Sequence, residues 1–360
     1  MKPPAELIRQ LPKPDTLTKY LDDPEMLLSH ARPPEDYRGQ PPAMAAPEFS
    51  AELPEPVHLA DSSRERILQA GIRAVEKVRD RGEDVDLDPQ EMVGLEAIVL
   101  TEGRPAILIQ DGHFFPPPIE WQVLEQKRDG IENTFKSVGR IEVNGHPSYE
   151  WVGTGFLVAE DVIMTNRHVA NVFCRARGIC KQWAFEPGMT AHIDYVEELG
   201  SLNSAEFALT SVIGVHDMLD MALFRAVRTS GQGIAAPEPL TIASHAADVA
   251  QGHRVYIVGY PAWDGRRNDP MHMRRIFSDI FNVKRLLPGE IMGVLPQRRL
   301  FRHDCSSLGG CSGSCVVDLE SNLVIGLHFG GRYLQGNDAV ALWQLTNDRL
   351  LKKAQVNFAQ

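Results

Sequence analysis

Beyond about residue 137 the sequence predicts an all-β domain, a barrel or a pair of packed sheets, behind a mostly helical front third. Short apolar runs separated by Gly, Asn and Asp recur throughout the later part: VGRIEV, GTGFLVA, DVIMTN, FALTSVIGV, MALFRAV, RVYIVGY, RRLFRH, GSCVVDL, LVIGLHFGG and DAVALW. Strands of that length with frequent turn signals are the mark of barrels and sandwiches. Ahead of them, DSSRERILQAGIRAVEKVRDRG places Ile67, Gly71, Val75 and Val78 on one helical face, with Leu68 and Ile72 beside it.

Residues 1–56 hold twelve of the 25 prolines. A helix cannot run far through such spacing, so this stretch predicts an extended or disordered arm. Residues 57–136 read as a small helical module. Ser62 and Glu65 fit a capping box for its first helix, and Gly82 follows a basic last turn. Asp88, Pro89 and Glu91 start a second helix. PAILIQDG is a short strand ending in a turn at Asp111 and Gly112, and 119–135 is a third helix in which Lys127 must reach out to solvent. The linker 228–240 suits a crossing between two β halves, and QLTNDRLLKKAQ reads as a closing helix. No repeat of fixed period is visible.

The 360 residues, 43% hydrophobic, can fill a sizeable core. A net charge of −11 argues against a nucleic-acid partner. The amino terminus lacks the apolar core of a signal peptide, and nowhere do about 18 apolar residues run together. The expectation is a soluble cytoplasmic protein that does not enter a membrane. Five cysteines, an odd and sparse set, do not form a secreted disulfide scaffold.

SLGGCSGSCVVD, residues 307–318, packs small residues around Ser312 and sets Cys311 and Cys315 on either side. Either Ser312 or Cys311 could be the reactive group, or the cysteines could bind metal or pair. Acyl transfer by a serine needs a base, an acid to orient the base and donors for the oxyanion. Candidates exist for each. His168 follows an apolar strand in VIMTNRHVA, and Asp220 immediately precedes an alternating apolar segment in HDMLDMALFRA. Gly310 and Gly313 flank a turn that can expose a hydroxyl and two N–H groups.

Together these motifs resemble the chymotrypsin-like (trypsin-like) serine peptidases over roughly residues 138–346. GTGF at 153–156, TNRHVA at 165–170, DMAL at 220–223 and GCSGS at 310–314 follow the family's order of His, Asp, Ser. The resemblance implies two six-stranded antiparallel β-barrels over 137–350 with the catalytic cleft between them. It implies His168 as general base, Asp220 as its orienting acid, Ser312 as nucleophile, and the N–H groups of Gly310 and Ser312 as the oxyanion hole. No cofactor and no metal is implied.

Within the family the sequence is most similar to bacterial glutamyl endopeptidases, then to HtrA-like peptidases. VIGLHFGG at 324–331 resembles the strand lining the primary specificity pocket. That places His328, Gly330 and, on the opposite wall, Ser307 as substrate-binding residues, with imidazole and hydroxyl offering donors to a Glu or Asp side chain. Cys311 and Cys315 depart from the family pattern. Cys311 is expected to be a buried packing group, while zinc ligation by the cysteines and bridges Cys305–Cys315 or Cys174–Cys180 stay open. The front third is expected to stay attached and to inhibit, dock or sense a regulatory protein partner. The segment GYPAWDGRRNDPMHMRRIF suits a loop over a cleft and equally a solvated excursion, and is assigned no substrate.

Three functions follow: a serine endopeptidase acting on protein or peptide substrates, an inactive peptidase-fold scaffold that binds peptides or a partner, and a cysteine metal module.

Overall fold

Alternation along the strands decides where each side chain goes. The computed structural model describes residues 2–3, 8, 11–22, 61–82, 85–178, 182–245, 249–263, 277, 280–332 and 336–359. The expectations for most of the Pro-rich arm, for Cys180 and for most of the loop segment 259–277 fall outside these residues.

In chain order, β1 (Ile107–Gln110) and β2 (His113–Phe114) precede the strands of the first barrel. These are β3 (Val138–Asn144), β4 (Trp151–Ala159), β5 (Val162–Thr165), β8 (Thr190–Asp194), β9 (Glu206–Val215) and β10 (Ala222–Ala226), closed antiparallel in the order β10–β5–β4–β3–β8–β9. The strands β6 (Cys174–Arg177) and β7 (Gln182–Phe185) form a separate ribbon. Every residue of β4 is buried, because both faces are covered. Leu157, with Ile163 of β5, packs in the cluster of the first barrel, whereas Phe156 and Val158 join a cluster shared with the second barrel and the front third.

The second barrel uses β11 (Arg254–Gly259), β12 (Arg285–Leu295), β13 (Leu300–His303), β14 (Cys315–Asp318), β15 (Val324–Arg332) and β16 (Gly336–Ala341). Its order is β11–β14–β15–β16–β13–β12, and pairing of β11 with β12 closes it. The two six-stranded barrels are therefore those the resemblance implies. The eleven-residue β12 was not among the predicted strands. It carries Pro288, Gly289 and Gly293, which read as breakers, yet pairing with both β11 and β13 holds it extended.

Among the described residues, α1 (Pro14–Asp22) begins at a proline, as a first helical turn permits. The helices α2 (Asp61–Arg81) and α3 (Pro89–Ile98) pack Leu68, Ala74 and Val75 against Leu95, Ala97 and Ile98. Helix α2 begins at Asp61, and the side chains of the capping box expected at Ser62 and Glu65 lie outside the described residues. The capping box at Asp88 is present: its carboxylate accepts Gln90 N–H and Glu91 N–H, and Glu91 accepts Asp88 N–H in return. The single helix expected over 119–135 is three pieces: a 3-10 turn (Ile119–Trp121), α4 (Val123–Gln126) and α5 (Arg128–Phe135). The break falls at Lys127, which leaves the helical region and donates its ammonium to the Glu320 carbonyl and carboxylate. The closing segment is a 3-10 turn (Leu342–Leu345) and, after α6 (Arg167–Phe173), the last helix α7 (Arg349–Lys353), capped by Asp348.

The front third is built into the second barrel. Strand β1 extends the sheet by pairing with β12, Ile107 opposite Leu286. Ile107, Ile109, Phe114, Trp121, Leu124, Ile131 and Phe135 all lie in the cluster shared with both barrels. Lys284, 1% exposed, donates to the carbonyls of Phe135 (3.0 Å) and Tyr195 (2.5 Å) and to Glu198 (3.4 Å), while Glu198 also accepts Gly112 N–H. At roughly 1.5–3 kcal/mol per buried side chain, those contacts rival the whole stability of about 5–15 kcal/mol of a domain. Deleting residues 1–136 is accordingly expected to give an insoluble or molten barrel pair. Circular dichroism and dye binding on the truncated chain check this, and a cooperative, unshifted melt would contradict it.

Candidate active site

The sequence folds His168 and Asp220 toward each other through two neighbouring strands of the first barrel. Strand β5 ends at Thr165 and Asn166 takes the N-cap position of α6, which carries His168 in its first turn. Strand β10 pairs with β5, Ala222 opposite Thr165, which brings Asp220 alongside. Asp220 then receives two hydrogen bonds from one residue: His168 N–H reaches Oδ1 at 3.0 Å and His168 Nδ1 lies 2.6 Å from Oδ2. Asn166 Nδ2 donates to the Asp220 carbonyl, and the Arg167 guanidinium to the Asp217 carbonyl, so the loop before β10 is tied down as well. Burial by itself would raise the Asp220 carboxyl, but the His168 ring and amide, with the nearby Arg167 charge, hold it below its ordinary value. An ionised Asp220 keeps the proton of His168 on Nδ1 and leaves Nε2 with a lone pair.

Ser312 lies across the barrel junction. Its carbonyl accepts Thr154 N–H of β4 at 2.8 Å. A Cβ placed on Gly153 would meet both that carbonyl and Val169 Cγ2 at 2.9 Å, so the Ser312 turn abuts the residue after His168. Left-handed backbone at Gly310 (φ 86°) and Gly313 (φ 93°) shapes the turn. At Gly313 a methyl would sit 1.9 Å from the Thr154 carbonyl, which no side chain can do.

The amides of the turn divide into two sets. The N–H groups of Cys311, Gly313 and Ser314 donate to the carbonyls of Leu308, His328 and Cys311. Among the described residues, no protein acceptor takes the N–H of Gly310 or of Ser312. The carbonyls of the same two peptide groups are anchored, Gly309 by Ala262 N–H at 2.6 Å and Cys311 by Ser314 N–H at 3.0 Å. In a trans peptide C=O and N–H point opposite ways, so anchoring the carbonyls aims the two amides away from those anchors.

The cysteines do not share in this chemistry. Cys174, Cys305, Cys311 and Cys315 are buried free thiols. Burial pushes Cys311 and Cys315 up to about 12, far from a thiolate at neutral pH. Among the described residues the groups spaced for a metal are Glu142, His192 and Glu206, and Glu142, Asp194 and Glu197. Neither contains a cysteine, and the Arg140 guanidinium already pairs with both Glu142 and Glu197.

His328 is 1% exposed, and its Nδ1 lies 3.2 Å from Nε2 of His303 on β13. Burial, with the charge of His168, pushes His328 down to about 3, so the ring is neutral. Among the described residues, the buried Nδ1 of His303 has no partner. An unpaired acceptor costs less there than an unpaired proton, which favours the tautomer in which His303 Nε2–H donates to His328 Nδ1. His328 then carries its own proton on Nε2. Ser307 donates its hydroxyl proton to Asn337 Oδ1 at 2.7 Å, and Asn337 Nδ2 donates to the Cys305 carbonyl. In this arrangement the Ser307 hydroxyl proton is committed to Asn337 and the oxygen keeps its lone pairs, whereas the sequence reading expects it as a donor. Among the described residues, nothing lies within 4 Å of a Cβ placed on Gly330. His303 and Asn337 were missed in the sequence, since only the β13–β16 pairing, with these two residues opposite each other, brings them to His328 and Ser307.

Residues 153–327 match the trypsin-like peptidase domain. The probable serine protease of Lysobacter enzymogenes is 31% identical over 303 residues, which cover 75% of this chain and 77% of the relative. A glutamyl endopeptidase of Staphylococcus epidermidis is 27% identical over 202 residues, covering 55% of this chain and 60% of the relative. Among solved structures, a protease of M. tuberculosis in its active form is 18% identical over 65% of this chain and 87% of its own, with a TM-score of 0.43. The serine endoprotease of Yersinia pestis is 14% identical over 62% and 66%, with a TM-score of 0.42. With the fold and the similarity over three quarters of its length in agreement, this chain belongs to the trypsin-like serine protease family.

Proposed function

We propose that the protein is a serine endopeptidase that cleaves internal peptide bonds through an acyl-enzyme. The observation that carries the reading is the pair of unclaimed amides, Gly310 and Ser312, on a turn that abuts Val169, the residue after His168, whose ring is held by Asp220. Ser312 Oγ attacks the scissile carbonyl while His168 Nε2 takes its proton. Asp220 stabilises the imidazolium across the 2.6 Å contact, and the Gly310 and Ser312 amides receive the oxyanion. The C–N bond breaks as His168 returns the proton to the leaving amine. Water then attacks the ester, again with His168 as base, to release acid and free Ser312. The inactive-scaffold reading finds no support in the anchored carbonyls, which leave the oxyanion amides free. A fluorophosphonate probe tests the reading directly: the intact protein should label, and absence of labelling and of peptide cleavage would refute it.

The preferred residue before the scissile bond is Glu or Asp. His328 supports this with a neutral Nε2–H donor whose tautomer His303 sets, and the similarity to glutamyl endopeptidases points the same way. Because His328 is neutral down to about 3, a carboxylate is received by a hydrogen bond and not by an imidazolium. The ratio of kcat/KM for Glu over Gln substrates is therefore expected to stay flat between about pH 6 and 9. A requirement for charged His328 would instead lower the ratio about tenfold per pH unit. His328→Ala should erase the preference, and library profiling that finds basic or large aromatic residues favoured by the intact protein would overturn the assignment.

A further inference from the structure

Of the Gly-Thr-Gly-Phe run at 153–156, the peptidase reaction proposed for Ser312 uses no side chain. Thr154 is nonetheless fully buried, and its hydroxyl proton is donated across the barrel junction to the Gly310 carbonyl at 2.7 Å. We propose that Thr154 is a positioning residue that holds the oxyanion amides in their receptive orientation.

Four consecutive carbonyls around the nucleophile are anchored. Gly309 accepts from Ala262 N–H, Gly310 from Thr154 Oγ1, Cys311 from Ser314 N–H and Ser312 from Thr154 N–H. Thr154 thus supplies two of the four anchors, and both come from the first barrel to a turn that belongs to the second. The residue is itself fixed, because its carbonyl accepts Thr165 Oγ1 at 2.7 Å, at the end of the strand that leads to His168. The hydroxyl matters most at Gly310. Glycine there has no steric barrier to turning its peptide planes, and the 309–310 plane can rotate in concert with the 310–311 plane. Pinning the Gly310 carbonyl blocks that concerted rotation, which would carry the Gly310 N–H out of line with a developing oxyanion. Donors fixed in advance need no reorganisation during reaction, and that is the source of their catalytic effect. Thr154 touches neither the substrate nor the reacting atoms. It acts through Gly310.

This inference rests on the peptidase reading, and the experiment separates the two. Thr154→Ser and Thr154→Ala both remove the methyl group and differ by one hydroxyl. Their kinetics are compared with the unaltered enzyme on the peptide it cleaves fastest from a quenched library, with unfolding midpoints measured for each. Thr154→Ser is expected to keep kcat within about threefold, while Thr154→Ala loses about 10- to 100-fold in kcat with little change in KM, a fraction of what losing a donor outright costs. Affinity for a peptide boronate, which forms a tetrahedral adduct at Ser312, should fall in parallel in Thr154→Ala alone. Equal kcat in the two variants, or a loss confined to KM with unchanged boronate affinity, overturns the role of the hydroxyl. An unaltered enzyme that neither cleaves nor labels removes the peptidase reading and this proposal with it.

Discussion

Replacing Ser312 by alanine is expected to abolish fluorophosphonate labelling and to lower kcat by about a millionfold, as loss of the nucleophile does when base and acid act only through it. The informative companion is Cys311→Ser. Cys311 is fully buried, with its thiol pushed up to about 12, so it neither reaches a substrate nor ionises at neutral pH. Serine at that position puts a hydroxyl where a weakly polar thiol was, at a cost in stability of roughly 1–3 kcal/mol, yet labelling at Ser312 should persist. Mass spectrometry of the labelled peptide distinguishes the two residues, which are adjacent in sequence. Adduct on Cys311, or label retained in Ser312→Ala, would require a different nucleophile.

Asp220→Asn should lower kcat by about ten-thousandfold at neutral pH while the fold persists. An amide can present its N–H to His168 Nδ1, which forces the imidazole proton onto Nε2 and removes the lone pair that must accept the Ser312 proton. Substrate affinity has no reason to change by a comparable factor, so the loss should fall in kcat, measured by steady-state kinetics on one peptide. The sign for stability follows from the lowered Asp220 carboxyl. A depressed folded-state value stabilises the fold above the ordinary value of 3.8 and loses that contribution as pH falls through the folded value. The stability gap between the unaltered protein and Asp220→Asn should therefore shrink in acid. A gap that widens there would mean that the carboxylate is not held by His168.

The runs that became β4, β5 and β10 were legible because a short apolar stretch bounded by Gly, Asn or Asp is a local property of the chain. The same holds for the Asp88 capping box, where donor and acceptor are three residues apart. Strand β12 was not legible. Proline and glycine mark it as a break, and only its neighbours β11 and β13 make it a strand. The 119–135 segment differs in the opposite way: its pattern is helical, but the backbone leaves the helical region at Lys127, whose ammonium meets Glu320.

The candidate site divides along the same line. The sequence by itself pointed to the residues that could react, because the motifs around His168, Asp220 and Ser312, in that order, resemble those of the trypsin-like family. Tertiary structure alone decided what each reactive group is offered. Register across β5 and β10 sets the Asp220 contact, pairing of β13 with β16 places His303 and Asn337 beside His328 and Ser307, and the meeting of the barrels brings the Thr154 hydroxyl to Gly310, 156 positions away. Hydrogen bonds of that span leave no periodic trace in a chain, since their donors and acceptors become neighbours only once two barrels have closed and packed.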